Sequence, residues 1–340
     1  MGNDAFPVGK LPVDLLEKLL AGLKQDDPNL LVGPGIGVDA AVISFGGQKL
    51  VFKTDPITFT SERLPWYLVT INGNDIACMG ATPRYLLATF LLPEGRTTPA
   101  VVEGLFGELR EACLSCGITL AGGHTEITHG LGRPIAIGFM IGTLEGRDFI
   151  RPGGMKPGDA VLLSKRIPLE AVAVIASERG GQLGIGDDAL ARAKALVRDP
   201  GISIVREAAL ARDSGFATAM HDPTEGGLAT GLKELARAGG CGMRIHRERI
   251  PVFDLAAGIL PPFSIDPLGA LASGSLIVCC RSQGARAILD AWARAGIEGS
   301  VIGEVTGEPD VLLVENGIPR PLPEFPVDEI TKIYAGAGQG

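Results

Sequence analysis

Aromatic side chains are scarce in this chain of 340 residues: 2 Trp, 3 Tyr and 12 Phe make up 5% of it. A core with so few rings must be aliphatic and rich in small residues, which suits close backbone approach better than stacking on nucleic-acid bases. Basic charge is also short. Lys+Arg 31 against Asp+Glu 39 leaves a formal net charge of -8, so no nucleic-acid or membrane partner is expected and an anionic ligand needs a local site. No apolar run approaches the ~20 residues that span a bilayer. The N-terminus lacks the basic stretch and apolar run of a secretory signal, so a cytoplasmic location is expected. Six cysteines do not make a disulfide framework in a chain of this length. Cys113 and Cys116 form a C-x-x-C inside a helical pattern without a second pair, against a zinc ribbon, and Cys279 and Cys280 in SLIVCC read as core. No G-x-x-x-x-G-K-[ST] phosphate loop occurs.

Glycine is abundant instead. With 48 Gly and 24 Pro, about 21% of the chain is turn-forming, without a collagen-like period. The length fits about two domains, and 46% hydrophobic with 21% charged residues is a globular composition. Leu15, Leu16, Leu19, Leu20 and Leu23 recur at helical spacing after Pro12, giving a helix that ends between Gly22 and Gln25. VDAAVISF and KLVFKT form a hairpin across Gly46-Gly47-Gln48. Residues 65–80 and 98–116 read as helices, and RYLLATFLLP, GITLAGG and RPIAIGFMIGTL as strands. Glycine and proline peak in RPGGMKPGD (151–159), taken as the domain boundary. Beyond it come strands AVLLSK, FATAMHD, CGMRIH, SLIVCC, GSVIGEV and VLLVE, and helices over 168–179, 188–198, 203–213, 226–238 and 283–295. The expected class is α+β.

Four segments carry candidate chemistry. Gly33-Pro34-Gly35-Ile36-Gly37-Val38-Asp39 follows a helix and leads into a strand, the reverse of a dinucleotide fingerprint. It reads either as an ordinary turn or as backbone N–H groups lining an anion, with Asp39 at the exit. Asp55 in KTDPITF and Asp75 in NGNDIACMGATP stand among apolar residues, where isolated carboxylates serve as caps or hold a hard cation such as Mg²⁺. Gly122-Gly123-His124-Thr125-Glu126 is expected to close a strand. His124 and His129 lie five apart, off zinc spacing, which leaves polar contact to a nucleotide or a metal-bound water, with Glu126 a candidate extra ligand. In His221-Asp222-Pro223-Thr224-Glu225-Gly226-Gly227, Thr224 or Asp222 is expected to cap the next helix. The two glycines would admit a phosphate to its N–H groups, and His221 is a candidate base near neutral pH. DPL at 266–268 with Ser273-Gly274-Ser275 repeats this grammar.

The ordered series GxGxDAAVI, TDPI, NDIAxMGAxP, GGHTE, HDPTEGGLA and DPLxxxxSGSL, spanning roughly residues 8–315, resembles the aminoimidazole ribonucleotide synthase (PurM-like) superfamily, and within it the HypE-like, AIR-synthase-related proteins. The resemblance implies two α+β domains. Residues 1–150 would be an N-terminal ATP- and Mg²⁺-binding domain that pairs into a β-barrel across a homodimer, 151–320 a C-terminal α/β sandwich, and 321–340 a tail. It implies ATP in a cleft at that interface, with Mg²⁺ held by Asp39, Asp55, Asp75 and Glu126. Nucleotide contacts would come from Gly35, Gly37, Asp39, Lys53, Thr54, Asn74, Gly122, Gly123, His124, Thr125, Gly226 and Gly227, and catalysis from His221, Asp222 and Glu225. His124 stands where related proteins carry Asp in GGDT. The activity implied is ATP-dependent phosphorylation of an amide, carbonyl or carboxylate oxygen on a small-molecule or protein-borne substrate. The alternative is a nucleotide-binding maturation or assembly subunit related to the hydrogenase maturation protein HypE. The last cysteine is Cys280, so dehydration through a thiocarbamate on a terminal cysteine is not expected. With only Lys10 and no cysteine before Cys78, selenophosphate synthesis is not expected, and GIGVDAA in place of a GVGTK-like loop disfavours purine cyclisation.

Overall fold

The computed structural model describes residues 6, 9–23, 26–58 and 60–334. The chain forms two compact units. One is Asp26–Pro34 with Asp39–Phe149; the other gathers the residues before 26, Gly35–Val38, and everything from Ile150 on. The expected first domain, 1–150, thus loses its opening helix α1 (Val13–Ala21) to the later unit. Residues 24 and 25, where that helix was expected to end, lie outside the described residues, as do 335–340 of the expected tail.

The first unit runs β1 (Leu30–Val32), β2 (Ala41–Phe45), β3 (Gln48–Ile57), α2 (Leu64–Cys78), β4 (Thr82–Pro93), α3 (Pro99–Cys116), β5 (Thr119–Thr128) and β6 (Ile135–Thr143). Its six-stranded sheet has the order β1-β2-β3-β6-β4-β5, antiparallel except for the parallel pair β4 and β5. The sequence of α2, LPWYLVTINGNDIAC, is apolar all round, and every residue of it is buried, as a helix without a polar face must be. It covers one face of the sheet through Leu86, Ala88, Phe90 and Met140. The alternate residues Phe52, Tyr85, Leu87 and Phe139 form an apolar opposite face, with Tyr85 47% and Phe139 39% exposed. Among the described residues no barrel closes within the chain, because β1 and β5 are the edges of the sheet.

The second unit continues with β7 (Ala160–Ser164), α4 (Leu169–Arg179), α5 (Asp187–Ala195), α6 (Val205–Asp213), β8 (Ala217–His221), α7 (Gly227–Gly239), β9 (Gly242–His246), α8 (Ala256–Ile259), β10 (Ile277–Cys280), α9 (Ala285–Arg294), β11 (Gly299–Thr306), β12 (Val311–Glu315) and β13 (Ile318–Pro321). Its seven-stranded sheet has the order β13-β12-β9-β11-β7-β10-β8. Val161, Leu163, Ile277 and Cys279 pack with Leu228, Leu232 and Leu235 of α7 in one core. Their neighbours Leu162, Val278 and Cys280 are equally inaccessible, so both faces of these strands are covered. Among the described residues, no helix is long and apolar enough to cross a membrane.

Charge explains the place of α1: Arg237 of α7 donates to Asp14 at 3.1 Å and to Glu17. The expected tail is not loose through residue 334. Leu322, Ile330 and Ile333 are buried, and so is Asp328, because an aliphatic pattern continues past β13 and has a core to enter. Lys165, buried at the end of β7, reaches Glu207 and the carbonyl of Ser203, both at 2.6 Å, and ties the segment before α6 to the sheet.

GGHTE does not close a strand but lies within β5, which runs on to Thr128. Gly123 is set against Ala88 of β4, and a Cβ there would stand 1.9 Å from the Ala88 carbonyl oxygen at a φ of +152°. Gly123→Ala is therefore expected to detach β5 from β4 and to lower stability by about 2 kcal/mol or more. A urea midpoint equal to that of the wild type would contradict this.

Candidate functional site

Each unit carries a polar cluster of its own. In the first, Lys53 and Asp55 are two apart on β3, opposite Met140 and Gly138 of β6, and so share the face that α2 covers. Lys53 Nζ lies 3.2 Å from Asp75 Oδ1, with Asp75 nearly enclosed. Asn72, one turn earlier on α2, donates from Nδ2 to the Asp55 carbonyl at 3.3 Å and to Leu68 O at 2.9 Å. Gly138 is required here, since a Cβ would stand 2.4 Å from the Asn72 amide nitrogen. Asn74 is fully buried. Thr54 is exposed on the other face. Asp39, 8% exposed, lies two residues before β2, whose Ala41 pairs with Phe52, and stands at the end of the same hairpin.

Glu126 does not join these acids within one chain. β5 is separated from β3 by β6 and β4, about 14 Å across three strand spacings. On β5, His124 Nε2 lies 3.3 Å from Glu126 Oε2, and Thr128 donates to Glu126 at 3.0 Å. The run Gly122, Gly123, His124, Thr125 and Glu126 is exposed.

In the second unit His221 ends β8 and Asp222 is 1% exposed. His221 Nε2 is 3.1 Å from Glu234 Oε2 on α7, and the other oxygen of Glu234 is 3.2 Å from Lys10 Nζ. Burial would raise the Glu234 carboxyl, but the hydrogen bond from His221 and the charge of Lys10 bring it down to about 2. Gly37 presses on the same helix: a Cβ there would stand 2.5 Å from the Glu234 carbonyl oxygen. Gly35 sits in the same short segment, beside Val38.

The cap of α7 differs from expectation. Neither Thr224 nor Asp222 caps it; Gly226 is the N-cap, at φ +79°. Its N–H donates to Asp328 Oδ2 at 2.6 Å, the N–H of Gly227 to Thr224 O at 3.1 Å, and that of Ala229 to Leu268 O at 2.9 Å. A phosphate at Gly226 and Gly227 would find those donors already engaged, with a carboxylate in its place. Asp328 also accepts from Leu271 and Ile330 N–H groups at 3.4 and 2.8 Å. Burial nevertheless pushes it up to about 6.

Glu170, in the first turn of α4, accepts from the hydroxyl and N–H of Ser273. Burial, reinforced by the charges of Asp328 and Glu225, pushes it up to about 7. Its Oε2 has no hydrogen-bond partner. Glu170, Glu234 and Asp328 were not singled out in the sequence, because each acts through residues far away in the chain. The only available signal was an acid set in an otherwise apolar helix, as in PLEAVAVIA.

The N-terminal domain of the AIR synthase related proteins matches residues 37–144 and their C-terminal domain residues 156–314. The chain belongs to that family, and it has the family's two-domain PurM-like fold of mixed α and β content. Among its relatives, the carbamoyl dehydratase HypE of Azotobacter vinelandii is 32% identical over 324 residues, covering 90% of this chain and 87% of that protein. A putative hydrogenase expression/formation protein of Methanocaldococcus jannaschii is 26% identical over 313 residues, covering 88% and 89%. HypE in complex with ATP superposes with a TM-score of 0.71 at 23% identity, covering 90% of this chain and 92% of that one. The HypE–HypF complex gives 0.76 at 22%, covering 92% and 99%. The likeness to the solved structures is one of fold.

Glu170 and Asp328 both hold a proton more tightly folded than their carboxyl types do ordinarily. Between about pH 4 and pH 7 these two groups bind more protons in the folded chain than in the unfolded one, so the stability they contribute is greatest at the acid end and falls as pH rises. Glu170→Gln is expected to remove on the order of 2–3 kcal/mol of that fall between about pH 5 and pH 8 in urea titrations. An unchanged slope would show that Glu170 titrates normally.

Proposed function

We propose that this protein is an ATP- and Mg²⁺-dependent enzyme that phosphorylates an oxygen of an amide, carbonyl or carboxylate. The observation that carries it is the Lys53–Asp75 pair at 3.2 Å between β3 and α2, with Asp55 two residues along β3 on the same strand face as Lys53. These are oxygen donors of the hard type that Mg²⁺ prefers, beside a cation suited to phosphate. Asp39, at the end of the same hairpin, is the third carboxylate. The metal would supply charge neutralisation on the transferring phosphoryl group. Lys53 would meet the phosphates, and Asn72 holds the β3 backbone in register with α2.

For a carboxamide the chemistry balances without a redox partner. The amide oxygen takes the γ-phosphoryl group as ADP leaves and an N–H proton departs. Loss of inorganic phosphate with the second N–H proton then completes a dehydration to the nitrile. The carbamoyl dehydratases among the relatives motivate that substrate class. A thiol of this chain is a poor carrier for it: of the six cysteines five are buried and Cys116 is half-buried, and burial pushes Cys280 up to about 12. An acyl or carbamoyl group presented on a small molecule or another protein fits the burial of these six thiols. His221 takes up the proton and Asp222 and Glu225 line the same turn. The apolar sheet face of Phe52, Tyr85, Leu87 and Phe139, with the exposed strand β5, supports pairing of two copies. Such pairing gives Glu126 and His124 a site to complete, and a cytoplasmic location fits this chemistry. The assembly-subunit alternative rests on the hydrogenase-maturation names of the relatives.

Calorimetry should detect Mg-ATP binding to the wild-type protein, weakened about tenfold or more in Asp75→Asn, a loss of about 1.4 kcal/mol. No binding by the wild type, or equal affinity in the variant, would overturn the assignment. Binding without turnover on carboxamides, carbamates or carboxylates, with turnover restored by a co-purifying protein, would favour the assembly subunit.

A further inference from the structure

The ring of His221 is enclosed, 6% of the residue remaining exposed. It leaves the end of β8 and lies along α7 at Gly231, where a Cβ would stand 3.3 Å from its Cδ2 and 3.0 Å from Pro223 Cβ. Glycine leaves the ring room to pass the helix and meet Glu234, about one turn further on, where a side chain would crowd it by a few tenths of an ångström. There Nε2 and Oε2 are 3.1 Å apart. The remaining oxygen of Glu234 faces Lys10 Nζ at 3.2 Å, and the helix backbone at Glu234 is pinned by Gly37. Glu234 is thus held from three sides: by the N-terminal segment, by the glycine segment and by the imidazole.

An ionised carboxylate can only accept a hydrogen bond, so the ring proton must sit on Nε2. We propose that Glu234 is a positioning residue for His221, fixing the Nε2–H tautomer so that Nδ1 is the nitrogen able to take a proton during the reaction. This rests on the assignment of proton uptake to His221. Among the charged groups around the ring are Glu234, Lys10 behind it, and Asp222 next in the chain, whose carboxylate lies within 4.8 Å of a ring nitrogen. The logic is that of a carboxylate orienting an imidazole base, found on unrelated folds. A helix site suits it because α7 is rigid and its buried face includes Leu232 and Leu235. A pair of surface type would not be this shielded, the side chains of His221 and Glu234 being only 7% and 13% exposed.

The tautomer can be read directly. The chain has four histidines, and ¹⁵N-histidine labelling with His221→Asn assigns the fourth signal. At neutral pH the wild type should show His221 with a protonated Nε2 and an unprotonated Nδ1. Glu234→Gln, whose amide can donate as well as accept, should shift that signal toward the Nδ1–H form, and Glu234→Asp should restore it in part. A wild-type Nδ1–H signature, or a signal unmoved by Glu234→Gln, overturns the proposal. If Glu234→Gln fails to fold, the wild-type signature alone still decides it. Magnesium-dependent ATP turnover should fall roughly tenfold or more in kcat in Glu234→Gln, with KM for ATP within about threefold, and His221→Asn should fall as far. Full turnover in Glu234→Gln beside a dead His221→Asn overturns the positioning role. Full turnover in His221→Asn instead removes the catalytic reading of His221, while the nitrogen spectra show separately whether Glu234 sets the tautomer.

Discussion

One buried carboxylate organises the second unit. Asp328 accepts from the N–H groups of Gly226, Leu271 and Ile330, and these belong to the cap of α7, to the loop before β10 and to the C-terminal segment. Three donors on one anion make a junction that no neutral side chain could replace without leaving backbone groups unpaired. It supplies the negative end that the α7 N-terminus would otherwise seek from a ligand. The two glycines of HDPTEGG follow from it. Gly227 lies against the Leu268 and Ala270 backbone, its Cβ position 2.5 Å from Leu268 O, so their smallness serves chain-to-chain contact within the unit.

That junction also explains a crowding of acids that would otherwise be costly. Glu170 and Asp328 are both buried, and Glu225 lies close enough to raise both. Hydrogen bonds lower the cost, and holding a proton near neutrality lowers it further. Glu234 has the opposite setting. A cation and an imidazole surround it, so the same burial leaves it ionised. The chain therefore places carboxyls of contrasting character around one turn, an arrangement typical of sites that move protons.

In the first unit the binding constraint is a helix with no polar face. α2 is wholly buried, so its polar residues Asn72, an amide, and Asp75, an acid, must find partners on the sheet beneath. They do so on Lys53 and on the Asp55 backbone. Alternation along β3 then decides which residues can share a site: Lys53 and Asp55 face α2, while Thr54 lies on the side of Phe139. Strand order separates Glu126 from them, although the two motifs look like parts of one acidic set in the sequence.

Much was legible in the sequence. The leucine period after Pro12, the helix expected over 65–80, the hairpin at Gly46-Gly47 and the β-type runs appear where local physics puts them, because each depends on neighbours within a few residues. The ordered motifs sufficed to identify the family, and Asp55 and Asp75 stood out as acids among apolar residues. What could not be read there depends on contacts between distant segments. The alignment of His221 with Glu234 and Lys10, the capture of Gly226 by Asp328, and the distance of Glu126 from Asp55 all follow from packing and strand order. The sequence by itself determined which segments form helices and strands and which residues have the chemistry to act. The tertiary structure decided which of them meet, because hydrogen bonds and ion pairs depend on distance in space, and two residues a hundred positions apart acquire one only when the chain folds.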